Sequence, residues 1–236
     1  MKNRSTSDFG EILSKINSEL DDELSIYQIE KLSESKVNKL ADFLASEYIE
    51  FRGKKFRINS TIDTLNSCME YDYSDLRSSD IVLDLGACCG VFSILVSDQV
   101  KTVYAVEPLY HDLLLENLYL NKISNVNIIS CAISSKLCNL LINYDPRTSV
   151  VCGIPFDSLM SLINTPIDFL KMDIEMAEWL ITSNQLAQFR RIEVEVHNFD
   201  GKHDIENFET IVENAGFEYI TDTIEGSPTH IIHGFK

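Results

Sequence analysis

Residues 81–96 read IVLDLGACCGVFSILV, and residues 103–108 read VYAVEP. An apolar run leads into Asp84, a turn follows from Gly86 through Ala87, Cys88 and Cys89 to Gly90, and an amphipathic helix starts there. The second apolar run ends in Glu107. A buried strand, a tight glycine turn, a helix start and an acid about 20 residues further on are what a nucleoside-binding crossover requires. The glycines let backbone approach a ligand, and the acid accepts hydrogen bonds from ribose hydroxyls.

The turn is GxxxG and not GxGxxG. It lacks the close glycine packing that brings a pyrophosphate onto a helix N-terminus. S-adenosylmethionine, an adenosine carrier without phosphate, is therefore favoured over NAD or FAD, and a nicotinamide dehydrogenase is disfavoured. Two glycines alone occur in many strand-to-helix turns for steric reasons. The reading rests on the combination: Asp84 two residues before the first glycine, a strand on each side, and an acid at the tip of the second strand. Gly86, Ala87 and Gly90 are the expected points of backbone approach, with Glu107 and the adjoining Pro108 on the ribose side. Asp84 either meets the methionine amino group or bonds the amides of its own turn.

From Ser79 onward apolar strands alternate with amphipathic helices, the pattern of a doubly wound, mostly parallel sheet. Strands are expected at 81–85, 102–107, 126–131, 167–172, 190–197, 217–222 and 229–235, with helices at 90–98, 109–121, 175–184 and 204–215. Residues 134–156 are irregular and leave room for an extra strand pair near 138–152. A short strand or hairpin is expected around Phe51–Ile58. Residues 1–50 read differently, as a helical N-terminal appendage with stripes at Ile12, Ile16 and Leu20 and at Val37, Leu40, Ala41, Leu44 and Tyr48. Such stripes need a partner surface, and a homodimer through them is one way to supply it. The expected organisation is the appendage at 1–50, a strand and linker region at 51–78, and the main domain at 79–236.

The net charge is −17. A chain this acidic repels phosphate backbones, so nucleic acid is disfavoured as a substrate. The densest basic segment, Arg52–Arg57, is short and reads as a solvated strand or turn. No apolar run follows Met1 and no stretch reaches the roughly 18 apolar residues of a membrane span, so a cytoplasmic protein without membrane attachment is expected. The six cysteines show no CxxC and no zinc spacing, which suits reduced thiols.

Methyl transfer from a sulfonium needs alignment and, for a hydroxyl acceptor, removal of one proton. Candidate groups lie at the ends of the later strands. Asp173 sits at the tip of a buried strand, followed by Glu175 and Glu178 at an expected helix start, where the helix dipole would stabilise all three. Glu193, Glu195 and His197 alternate along one strand and share a face opposite Ile192, Val194 and Val196. Asp173, Glu195 and His197 form the expected catalytic set. His197 can act as general base near neutral pH, or Asp173 and Glu195 could share a divalent cation that lowers a hydroxyl's pKa. The sequence does not choose between these, and no metal ligands are assigned.

The segments VLDLGACCGVFS, VYAVEP, ENLYLN (116–121), IISCAIS (128–134), FLKMDIEMAE (169–178) and EVEVH (193–197) together resemble the successive motifs of FkbM-type methyltransferases. The resemblance runs from about Arg52 to about Asn198. It implies a Rossmann-like sheet ending in an antiparallel C-terminal hairpin, S-adenosylmethionine as cofactor, Ala132 near the adenine, and O-methylation of a small-molecule or sugar hydroxyl. The chain departs from the family at Cys88-Cys89, where small or amide residues are usual, and at Met176, where glycine is usual. Both add bulk at turns. They keep open a second reading, a non-catalytic nucleoside-binding or regulatory module on the same fold.

Overall fold

The computed structural model describes residues 48–57, 68, 70–144, 147–199, 201–224 and 227–236. The N-terminal stripes before Tyr48, their dimer, and most of the 58–69 linker lie outside the described residues. The chain divides into two units, and the second, Phe51–Phe56 with Ser60–Lys236, holds the main sheet.

Two short strands come first, β1 (Tyr48–Phe51) and β2 (Lys54–Arg57), joined by a tight turn at Arg52 and Gly53. The basic segment is thus strand and turn, with Lys54 paired to Asp98. Then follow β3 (Ile81–Leu85), helix α1 (Val91–Val96), β4 (Thr102–Val106), α2 (His111–Leu120), β5 (Val126–Ile129), β6 (Ala132–Ile133), β7 (Cys138–Tyr144) and β8 (Arg147–Ile154). The chain continues through α3 (Phe156–Ile163), β9 (Phe169–Met172), α4 (Ser183–Leu186), β10 (Arg191–His197), α5 (Ile205–Asn214), β11 (Glu218–Thr223) and β12 (Thr229–Phe235).

Seven strands form one sheet in the order β11-β12-β10-β9-β3-β4-β5. The pairs among β10, β9, β3, β4 and β5 are parallel, whereas β12 runs antiparallel to both β10 and β11. This is the expected mostly parallel sheet with its antiparallel C-terminal hairpin. Because the chain builds outward from β3 to β5 and then returns to β9, the order reverses between β3 and β9. Open α/β sheets bind ligands at the carboxyl ends of the strands beside such a reversal.

The central strands are buried on both faces, as their near-continuous apolar runs require. Val82, Leu83 and Leu85 of β3 and all four residues of β9 are buried. Leu83, Leu85, Leu170 and Met172 join Ile192, Val194, Phe208 and Ile232 in one core. The strand pair expected near 138–152 is the β7–β8 hairpin, which with β6 makes a separate three-stranded sheet.

Two expectations fail locally. Helix α3 was not anticipated, although Phe156, Leu159 and Ile163 recur at helical spacing and are its buried residues. The continuous helix expected at 175–184 does not form. Glu175 and Met176 sit at φ 53° and 81°, a left-handed conformation that cannot continue a right-handed helix. A 3-10 turn at Ala177–Leu180 and the short α4, closed by a Thr182–Gln185 capping box, take its place. Asp173, Glu175 and Glu178 therefore do not open an α-helix and gain no stabilisation from a helix dipole. No described helix is long and apolar enough to cross a membrane.

Candidate active site

The turn after β3 is held mainly by its own surroundings. Gly86 and Gly90 take φ 78° and 85°, where only glycine is unstrained. Each also lacks room for a side chain: a Cβ on Gly86 would lie 1.7 Å from the Asp173 carbonyl oxygen, and one on Gly90 would lie 2.0 Å from Leu114. The amides of Gly86 and Ala87 both donate to the Val106 carbonyl. Asn117, fully buried on α2, donates to the Cys89 carbonyl at 2.8 Å and fastens the turn from behind. Asn121 caps the end of α2, as its position suggests, and its amide bonds Lys55.

Glu107 sits where β4 ends and is 5% exposed. Its Oε1 accepts from the amides of Leu109 and Tyr110, and Oε2 accepts from Cys88 at 2.8 Å. A carboxylate oxygen accepts two hydrogen bonds, so Oε2, with one donor among the described residues, retains acceptor capacity for a ribose hydroxyl. In this respect the turn fits an adenosine-bearing cofactor. Asp84 behaves differently from both expectations. It is fully buried, accepts from the Ser93 hydroxyl at 2.6 Å and lies 3.4 Å from the Lys171 ammonium, so it neither reaches a ligand nor bonds its own turn's amides. Pro108 is half-buried beside Glu107, and half-buried Ala132 pairs with Gly153 in β6.

Across the reversal the expected catalytic residues do meet. His197 Nε2 lies 3.5 Å from Glu195 Oε1 and 3.9 Å from Asp173 Oδ1. Glu175 Oε2 joins them at 3.8 Å from the same nitrogen. The other ring nitrogen, Nδ1, lies 2.9 Å from Glu178 Oε1, which also accepts the His197 amide at 2.7 Å. Trp179 donates its indole N–H to the His197 carbonyl. The 3-10 turn thus clamps His197 through two consecutive side chains. It can do so because the left-handed pair Glu175-Met176 swings the chain back toward β10.

Three contributors were not read from the sequence. Tyr71, buried ahead of β3, donates its hydroxyl to Glu195 Oε2 at 2.7 Å and lies 3.3 Å from Asp173 Oδ2. Nothing in its local pattern marks it. Lys171 is buried within β9, donates to the Gly86 carbonyl at 2.8 Å, and faces Asp84 and Asp173. A lysine inside the apolar strand FLKM was the available signal, since a buried ammonium needs partners. Glu178, fully buried, opens no α-helix and instead holds His197.

The electrostatics follow from this crowding. Burial pushes the Asp173 carboxyl up to about 6, against the pull of Lys171. Glu195 is desolvated too, yet the neighbouring His197 imidazole and the hydrogen bond from Tyr71 hold it below its ordinary range. Burial opposes charge on His197, but Glu178, Glu195 and Asp173 outweigh it and raise the imidazole to about 10. The ring therefore carries its proton near neutral pH and does not serve there as the free base expected from its residue type. Asp173 and Glu195 are the groups of the set able to accept a proton. Burial likewise drives the Tyr71 phenol well above its usual range, with Asp173 and Glu195 adding to it.

No family model matches the chain, and no curated protein matches it. Solved structures do. A fibrillarin pre-rRNA processing protein from Methanococcus jannaschii is similar over 80% of this chain and 81% of its own, at 14% identity and a TM-score of 0.50. A precorrin-6y C5,15-methyltransferase from Geobacter metallireducens is similar over 75% of this chain and 89% of its own, at 14% identity and a TM-score of 0.49. TYW2 from M. jannaschii, solved in complex with AdoMet, is similar over 80% of this chain and 84% of its own, at 15% identity and a TM-score of 0.43. At these identities the likeness speaks to fold alone. The likeness to the fibrillarin protein, together with the strand order, establishes a Rossmann-like, mostly parallel α/β sheet.

Proposed function

We propose that this chain is an S-adenosylmethionine-dependent methyltransferase that methylates a hydroxyl of a small-molecule or sugar-containing acceptor in the cytoplasm, as its resemblance to the FkbM-type family implies. One observation carries the reading. Asp173, Glu195 and His197 converge at the ends of β9 and β10, directly beside the glycine turn that ends β3. A glycine turn with its ribose-side acid and a cluster of proton-accepting carboxylates, either side of a sheet reversal, is what a two-substrate transfer needs.

The bound cofactor would supply an electrophilic methyl group on sulfur. Glu107 would hold the ribose through Oε2. Lys171 ties the two halves together, since it bonds the Gly86 carbonyl and faces Asp173. Asp173 and Glu195 would accept the acceptor's hydroxyl proton. Tyr71 and His197 fix the orientation of those carboxylates. The charge of −17 supports a small acceptor over a nucleic acid.

Native mass spectrometry of the purified protein tests the cofactor, and labelled-methyl transfer to a panel of hydroxylated small molecules and sugars tests the reaction. Bound S-adenosylmethionine or its demethylated product supports the reading. A bound dinucleotide would overturn it in favour of a dehydrogenase, and failure to bind either would favour a non-catalytic regulatory module.

A further inference from the structure

Each member of the cluster at the ends of β9 and β10 is held from behind. His197 is 3% exposed, its Nδ1 engaged by Glu178. Asp173 Oδ2 faces Tyr71 and Lys171, and Glu195 Oε2 accepts from Tyr71. What these supports leave over is His197 Nε2, and Asp173 Oδ1, Glu195 Oε1 and Glu175 Oε2 each lie near it. The three oxygens stand 3.5–3.9 Å from Nε2, beyond the usual 2.7–3.2 Å of an N–H···O hydrogen bond. A buried imidazole nitrogen is thus aimed into a ring of carboxylate oxygens at spacings too long for good hydrogen bonds. Four carboxylates, Asp173, Glu175, Glu178 and Glu195, surround the ring, and the fully buried Glu178 keeps Oε2 without a hydrogen-bond partner among the described residues.

We propose that Asp173, Glu175 and His197 bind a divalent first-row transition cation through Oδ1, Oε2 and Nε2, the ion displacing the Nε2 proton to solvent. Ligand atoms of the three residues lie within 4.8 Å of one another. Two atoms on opposite sides of one ion, bonded at about 2.1 Å, stand about 4.2 Å apart, so closure needs only small side-chain movements. Glu178 on Nδ1 supplies the carboxylate–imidazole support that ligating histidines use to fix their tautomer and raise their basicity. Mixed imidazole and carboxylate donors suit Mn²⁺, Fe²⁺ or Zn²⁺, whereas Ca²⁺ and Mg²⁺ prefer oxygen alone. With Asp173 on the ion, Glu195 beside it remains to take an acceptor proton. That catalytic consequence rests on the methyltransferase reading; the binding itself does not.

The test uses Mn²⁺ alone with the full chain, after treatment with a chelator and without any methyl donor. Loss of the free-ion electron paramagnetic resonance signal reports binding whether or not the protein transfers methyl groups. Saturation at one equivalent is expected. Glu175→Gln, at a half-exposed side chain not needed for packing, should weaken binding at least about tenfold with an unchanged thermal melt. His197→Ala should abolish it, and Glu178→Gln should weaken it by about 10–100-fold, the usual scale for a group that orients a ligand. Absence of saturable binding would overturn the site. So would binding that Glu175→Gln leaves intact, since that would be unspecific attraction to an acidic chain. Ca²⁺ competing as well as Zn²⁺ would overturn the ligation by His197.

Discussion

Glu193 and Glu195 stand two residues apart on one strand and point to the same face, yet they have opposite fates. Glu193 is fully buried, and its Oε2 accepts from the Asp72 amide at 2.9 Å and lies 2.6 Å from His233 Nδ1. Its Oε1 lies 2.5 Å from the Arg191 guanidinium, an ion pair whose angle does not make a hydrogen bond. Burial still pushes its carboxyl up, because complete desolvation outweighs these partners. Glu195, nearer the carboxyl end of β10, faces Tyr71 and His197 at the edge of the reversal and is held below its ordinary range. One acid closes a structural network around β12; the other borders the space where a ligand would sit. Residue type and alternation do not separate them. Distance from the carboxyl edge of the sheet does.

The largest expected effect breaks the first of these. Glu193→Ala would leave the Arg191 guanidinium, 3% exposed, without its buried partner and should cost about 3–5 kcal/mol in urea unfolding. Glu195→Ala should cost much less. Equal losses for the two variants would erase the distinction drawn between them.

On catalysis the order reverses. Glu195→Gln should lower turnover by about 10²–10⁴-fold, the scale of a lost proton acceptor, while affinity for S-adenosylmethionine stays within error. A variant at Glu195 that lost donor affinity and kept its turnover would place this acid on the cofactor side instead.

Glu107 is a third acid of mixed character, since it serves three backbone amides and keeps acceptor capacity for a ribose. Glu107→Ala should weaken S-adenosylmethionine binding by about 1–3 kcal/mol and also lower the melting temperature, because the orphaned amides lose their acceptor. Calorimetry showing unchanged affinity would make Glu107 wholly structural, like Glu193.

The smallest effect is a pH drift. His233 is raised above its ordinary value by its hydrogen bond to Glu193, with Asp222 at 3.4 Å adding to it. A histidine whose folded value is raised contributes stability that is complete below about 6.5 and is lost as pH rises through the folded value. Stability should therefore decline gently on the alkaline side of 6.5, and His233→Gln should flatten that part of the curve. Chemical denaturation at several pH values measures it, and an unchanged slope in the variant would remove His233 from the Glu193 network.

Local patterning determined a good deal of this protein. The run from Ile81 to Val96 could hardly be other than strand, turn and helix, because β-branched residues, left-handed glycines and helical spacing agree there. Seven strand positions and the acid at the tip of β4 were legible for the same reason. So was the strand pair within residues 138–152. Tertiary structure decided the rest. Met176 adopts a left-handed conformation that costs a side-chain residue about 1–2 kcal/mol, and it does so where the turn lets Glu178 reach His197. Tyr71 reaches Glu195 across 124 positions of sequence, a contact no local pattern encodes. Asp84 became a buried partner of Lys171 because neighbouring β3 and β9 place the two side by side in register. Charges cannot be buried alone, so their meaning is set by whatever the fold brings opposite them, and that is a property of the packed sheet rather than of any stretch of chain.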